Sequence, residues 1–462
     1  MTIPPRLRGY AMTFGCLAAT AAVLVPVTVL ANTGEHRLDR LGIGIIAVVV
    51  AAAVVVLHPR WVYMALAFAL GSAPAATIPG LGTPVVLVLA FAMWCALLVH
   101  PLAETRTSAM ELAIAGLVVT SLCSLVMTVS SVRDVTEFIK WLLATSVVFA
   151  LTRFDLADLR AFGKVFVWGT FAGATLALIM RFLDPGRVLF TRLQVIGVFD
   201  ISDTGGFTRL TGTYVEPNSA GISFLVGLCL SVALLRGGSR LLTSAVILVA
   251  LVFTLSRAAM VSVVAAVVFL LLFQPMSSRV RVAILAALGS GVVGFLAVPL
   301  IYTRFTGTFK DRGSLDRAAS LSEYAYNMAG HWWFGKGWGL AEFISGEAAY
   351  RSNHVANSPL LSIYRGGIFV GVAFVVVLLV GVAVSYRNAR RTPWEAAVIG
   401  AGFTGFTVIG LQLDFPVVTH ATVTMVWSVL IAFLIRNPVT DCPPEQREFL
   451  AAPGRHRSRH SA

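Results

Sequence analysis

The chain has 462 residues, of which 57% are hydrophobic and only 12% are charged. Soluble domains carry about 25% charged residues, so a large soluble domain is excluded and the length counts membrane spans instead. The formal net charge of +13 does not mark a nucleic-acid binder, because most of the Lys and Arg flank long apolar runs.

Bilayer-length apolar runs are predicted at 10–31, 41–57, 61–78, 83–100, 110–130, 136–152, 162–182, 218–236, 240–255, 257–274, 281–301, 366–386, 395–413 and 416–436. Several of these 14 runs lie near the roughly 17-residue lower limit for a span. The expected architecture is therefore an all-α, polytopic transmembrane bundle of about 12–14 spans, with residues 1–436 forming one integral membrane domain. The first run is too long for a cleavable leader and continues into further spans. Cys16, Cys95, Cys123, Cys229 and Cys442 are scattered without metal-ligand or redox spacing, so neither a disulfide framework nor a metal site is expected.

Alternating the runs from a cytoplasmic N-terminus puts 15 basic residues in or beside the short cytoplasmic segments. They are Arg6, Arg8, Arg60, Arg106, Arg153, Arg160, Lys164, Arg236, Arg240, Arg279, Arg281, Arg387, Arg390, Arg391 and Arg436. The opposite short segments hold four: Arg37, Arg40, Arg133 and Arg257. This asymmetry predicts a multi-pass membrane protein with both termini on the cytoplasmic side. The basic tail 437–462 is expected to be cytoplasmic and disordered.

Two long connections, 183–217 and 302–365, fall outside under this alternation. In a compact bundle such loops carry function or disorder, and these are rich in aromatics, glycines and paired charges. In the second, Leu321, Tyr324, Ala325 and Met328 recur at helical spacing, which predicts a short amphipathic surface helix capped by Ser314 and ended near Gly330. Arg257 interrupts the apolar stretch LVFTLSRAAMVSVV. A charge there either snorkels to the interface or faces a cavity and awaits an anion. Arg209 and Glu216 flank the turn before Pro217-Asn218, which opens the next helix. In HWWFGKGWG, Trp332, Trp333 and Trp338 either anchor the loop at headgroup level or stack on sugar rings. Arginine forks suit phosphate oxygens, so the outer arginines point to an anion at the membrane surface, such as a lipid-linked diphosphate.

Four segments in order resemble the bacterial O-antigen polymerase and O-antigen ligase family of polytopic glycan-assembly enzymes. RLTGTYVEPNSAG resembles the family's R-x-x-G-x-x-x-x-P-N segment, and TLSRAAM its T-x-S-R-[GA] element. DRAASLSEYAYNMAGHWWFGKGWG resembles its Arg-led helix with the following glycine-rich element, and ANSPLLSIYRGGIFVG its H-N-x-x-L segment. The family's His-Asn pair stands here as Ala356-Asn357, with His354 two positions earlier, and Trp333 stands near the family's proline. The resemblance implies metal-independent glycosyl transfer without a cofactor. The donor would be a glycan on a polyprenyl diphosphate in the outer leaflet, and the acceptor a glycan or lipid. Arg209, Arg257 and Arg317 would bind the diphosphate, and His354 or Glu216 would serve as base. Trp332, Trp333, Trp338 and Asn357 would contact glycan. The missing His-Asn pair favours polymerase over ligase.

A transporter or flippase of lipid-linked oligosaccharide is the alternative. It predicts charges buried at mid-membrane depth, where this chain has few; Lys140, Asp414 and His420 all lie near span ends. A non-catalytic scaffold would leave the outer arginines without a role.

Overall fold

The computed structural model describes residues 53–77, 84–100, 107–183, 202–204, 207–297, 302, 318–340, 355, 357–411 and 421–437, apart from isolated positions within those ranges. The fold is all-α. Among the described residues the helices are α1 (Pro59–Ser72), α2 (Val85–Val99), α3 (Ala109–Thr128), α4 (Val132–Leu151) and α5 (Leu156–Phe182), then α6 (Pro217–Leu234), α7 (Gly237–Phe253), α8 (Arg257–Phe273) and α9 (Ser278–Leu296). After these come α10 (Tyr324–Asn327), α11 (Ser358–Arg391), α12 (Trp394–Gly410) and α13 (Ala421–Arg436). A two-stranded antiparallel hairpin, β1 (Ser202–Thr204) and β2 (Phe207–Arg209), precedes α6, with Ser202 opposite Arg209. Four helices, α3, α5, α6 and α11, are long and apolar enough to cross a membrane, and α2, α7, α8, α12 and α13 are shorter apolar helices. This is the composition of a polytopic membrane bundle.

The helices from α1 onward, α10 apart, fall on the twelve predicted runs from 61–78 to 416–436. Runs 10–31 and most of 41–57, Ser314 and the tail beyond Asn437 lie outside the described residues. Two helices, α5 and α11, begin six or more residues earlier than hydropathy marks them. Asp155 caps α5 by accepting from the Asp158 N–H at 2.6 Å, and the charged first turns hide that start from an apolar count. The early start of α11 is described below. The short helix expected in the second loop is present, helical over residues 318–322 and again over Tyr324–Asn327, with Tyr324 and Met328 buried and Leu321 exposed.

Small residues set the spacing. α1 and α5 run parallel and touch at Gly71 and Gly169. A side chain on Gly71 would meet the Phe166 carbonyl, and one on Gly169 the Phe68 carbonyl. Such close approach is how helices associate where no water drives them together. α6 is the hub: its Gly227 abuts Thr170 of α5, and its Cys229 fills the space beside Gly402 of α12.

The helix ends sort into two groups. At one end Arg60 pairs with Asp158 at 3.1 Å, and Arg153 with the buried Glu111 at 2.7 Å. Arg436 donates to the Phe154 carbonyl at 3.3 Å, Asn388 donates to the Leu434 carbonyl at 3.1 Å, and Arg240 lies over the Trp394 ring. These contacts join the starts of α1, α3, α5, α7 and α12 to the ends of α4, α11 and α13. This basic end is the group that charge counting assigns to one side. The opposite end holds Arg209, Arg257 and Arg365.

Candidate functional site

The site at the opposite end is built around the turn between α7 and α8. α7 stops at Phe253 and α8 starts at Arg257. Between them Leu255 is buried and left-handed, with φ of 49°. A left-handed leucine costs about 1–2 kcal/mol, strain that persists only where the surroundings impose it. Ser256 caps α8, accepting from the Ala259 N–H at 3.4 Å, and so makes Arg257 the first helical residue.

Residues 209–214 are stitched onto this turn and its neighbours. The Leu210 N–H donates to the Phe253 carbonyl at 3.1 Å, and Arg209 Nε donates to the Thr254 carbonyl at 3.0 Å. Gly212, with φ of 61°, lies against Ala177, where a side chain would not fit. Thr213 donates to the Ser72 carbonyl at 2.6 Å, and the Tyr214 hydroxyl to the Gly71 carbonyl at 2.7 Å. The ends of α1, α5 and α7 thus hold the stretch that opens α6.

Asn218 ties the pieces together. Its Oδ1 accepts from Arg209 Nη2 at 3.0 Å and from Ser256 Oγ at 3.0 Å. Gly221, one turn along α6, lets Ser256 and Ala259 come close. Arg209, Asn218 and Ser256 therefore form one network whose last member adjoins Arg257 in the chain. Glu216 stands at the cap of α6, half-buried, and its Oε1 accepts from Ser219 Oγ at 3.3 Å.

The second loop docks separately, onto a break in α11. Gly367 is non-helical, with φ of 79° and ψ of 180°, so α11 is two helices end to end. The loop backbone takes up the polar groups that the break releases. The Lys336 N–H donates to the Tyr364 carbonyl at 2.7 Å, Gly337 N–H to the Arg365 carbonyl at 3.2 Å, and Ile368 N–H to the Trp332 carbonyl at 2.9 Å. Gly335, with φ of 77°, lies against the Arg365 carbonyl. On the other side Ser124 Oγ donates to the Phe334 carbonyl at 2.9 Å, and the Gly339 N–H donates to Asp134 Oδ1 at 2.6 Å. Burial holds the Lys336 ammonium below the usual lysine range. Burial, with Tyr364 adding to it, holds the Tyr324 hydroxyl above the usual tyrosine range.

No protein-family model matches the chain, and no curated protein matches it.

Of the residues expected in the site, Arg209, Glu216 and Arg257 share one end of the bundle, and Arg209 is joined to the residue preceding Arg257. Arg209 is 7% exposed, and two of its donors serve the protein, so it braces the turn. Arg257 is partly exposed. Arg317 and His354 lie outside the described residues. Trp332 and Trp333 are exposed, as a sugar-stacking or headgroup surface requires. Trp338 corrects the expectation of a sugar contact: it is fully buried, 4.7 Å from Trp141 and 5.1 Å from Phe138 between ring centroids. Asn357 is partly exposed and also has a structural role. Its Oδ1 accepts from the Leu360 N–H at 3.0 Å, capping α11, and its Nδ2 donates to the Leu411 carbonyl at 2.9 Å. Both ends of that amide hold helices together.

Asn218, Ser256 and Arg365 were not among the residues expected in the site. Arg365 is 1% exposed, with its Nε donating to the Leu340 carbonyl at 3.2 Å. The one signal for it was a charge beside the Gly366-Gly367 pair at the edge of an apolar run. Among the described residues no group of three or more His, Cys, Asp or Glu is placed to hold a metal.

Proposed function

We propose that the protein transfers a glycan from a polyprenyl diphosphate to a hydroxyl acceptor at the outer face of a bacterial cytoplasmic membrane. In this reading it is a polymerase or ligase of cell-surface polysaccharide, crossing the membrane 12–14 times with both termini inside. The observation that carries the proposal is the placement of Arg257. It opens α8 beside the Arg209–Asn218–Ser256 network, at the end of the bundle opposite the basic residues. The planar guanidinium fork matches phosphate oxygens, and the phosphates of a lipid-linked donor would lie at the membrane surface. The likeness of four short segments to the O-antigen polymerase and ligase family supports the same reading.

The chemistry is a displacement. The acceptor oxygen bonds to the anomeric carbon as the carbon–oxygen bond to the diphosphate breaks. The electron pair leaves with the diphosphate, and the acceptor proton passes to a base. Arg257 meets the growing charge on the leaving group, and Arg209 adds positive potential from behind. Glu216, at the cap of α6 and half-buried, would take the proton in this reading. His354 is the other candidate. The test uses purified full-length chain and a lipid-linked glycan, assayed with and without a chelator. Release of polyprenyl diphosphate together with lengthened or conjugated glycan supports the proposal. An intact donor sinks it.

The second reading, a transporter of lipid-linked oligosaccharide, draws on the break in α11, since broken helices line the substrate sites of many transporters. Here the loop backbone already occupies the carbonyls of Tyr364 and Arg365 and the amide of Ile368. The break is thus a joint within the protein. Movement of a labelled donor between the leaflets of proteoliposomes, with no change in the glycan, would favour transport.

A further inference from the structure

Asn218 sits where the bracing network meets the site. The orientation of its amide follows from its partners. A guanidinium has no acceptor, so the group facing Arg209 Nη2 at 3.0 Å is the oxygen Oδ1. Ser256 Oγ accepts from the Ala259 N–H and donates to the same Oδ1 at 3.0 Å. With Oδ1 holding two donors, Nδ2 and its two N–H groups are left over, and no described residue accepts from them. The residue is partly exposed. One of the donors on Oδ1 is cationic, which draws electron density from the amide and makes its N–H groups better donors. A brace alone needs only the acceptor, and aspartate would serve it better beside an arginine. The amide brings a polarised neutral donor as well.

We propose that Asn218 Nδ2 donates to an oxygen of the anion that Arg257 grips, so that Asn218 binds ligand as well as holding Arg209 and Ser256. This rests on reading the end of the bundle as a diphosphate site. The network fixes the donor without adding charge, which suits an oxygen whose charge must grow as the bond breaks.

The experiment measures binding of farnesyl diphosphate to the detergent-solubilised full-length chain by calorimetry, with thermal unfolding followed in parallel. Asn218→Asp keeps both acceptor contacts, so its unfolding midpoint should stay at or above that of the wild type. Its binding should weaken roughly tenfold to a hundredfold, the range for a hydrogen bond to a charged group. Charge repulsion alone would shrink with added salt, whereas a lost donor leaves the ratio to wild type in place. Asn218→Leu should lose both binding and stability. Equal binding by wild type and Asn218→Asp, or a difference that disappears at high salt, overturns the proposal and leaves the diphosphate site standing. Absence of binding by the wild type itself overturns both.

Discussion

At the residue scale the proposed function is tested at Arg257. Lysine keeps its charge but loses the planar fork, so Arg257→Lys should impair donor use. A charge-assisted contact is worth about 1.5–3 kcal/mol, and at about 1.4 kcal/mol per factor of ten, turnover should fall roughly ten- to a hundredfold. The measurement is glycan product formed at matched membrane abundance; wild-type rates in both Arg257→Lys and Arg257→Ala would refute the site. Ser256→Ala should cost about 1 kcal/mol of stability through the lost cap, and should lower activity by freeing Asn218. Full activity with a lowered unfolding midpoint would limit Ser256 to the cap. The helix start at Arg257 was legible in the sequence, because a charge interrupts the apolar run at that point. The bracing by Arg209 was not, because its acceptor is the Thr254 carbonyl, 45 residues away. Trp338 reads like Trp332 and Trp333 in the sequence, and only the docking of the loop against α4 buries one and leaves the others exposed.

The element most changed by tertiary structure is α11. Hydropathy places its start at residue 366, and the structure puts a break at Gly367 and eight further helical residues before residue 366. Those residues include Ser358, Ser362 and the buried Arg365, which no apolar count would assign to a span. The predicted boundary marked a real discontinuity, but not the end of the helix. Its geometry demands glycine: φ is 79°, and a methyl group would run into the Trp333 carbonyl. Gly367→Ala should therefore undo the joint, seen as faster protease cleavage between residues 330 and 357 in the folded bundle. Unchanged cleavage would show that the joint does not hold the loop. Trp338→Ala should destabilise by about 3–5 kcal/mol, as for other fully buried large aromatics, measured by thermal unfolding in detergent.

At the scale of the whole molecule, charge counting and packing agree on which helix ends belong together. The residues that counting assigned to one side are joined in the structure by the Arg153–Glu111 pair, the Arg436–Phe154 bond and the Arg240–Trp394 stack. Which end faces the cytoplasm is a matter for labelling. In a background without native cysteines, Thr204→Cys and Ser345→Cys should react with a membrane-impermeant reagent on intact cells, while Arg390→Cys should be protected. The reverse pattern would invert the topology and remove the outer-leaflet donor. The bundle was legible because every span must satisfy its own backbone in lipid, which forces long apolar runs. The loops carry no such constraint, and their folds depend on partners far along the chain.

The joint at Gly367 also sets an order of assembly. Its loop must find Ser124 and Asp134, which precede it by 210 and 205 residues, and a helix that emerges from the ribosome only after it. Contacts closing such long stretches of chain form late, since the entropy of closure is met before the contacts reward it. Residues 331–340 thus act as a keystone, set in place after the walls on both sides are standing. On this expectation Trp332 and Trp333 should take their places on the surface late in folding.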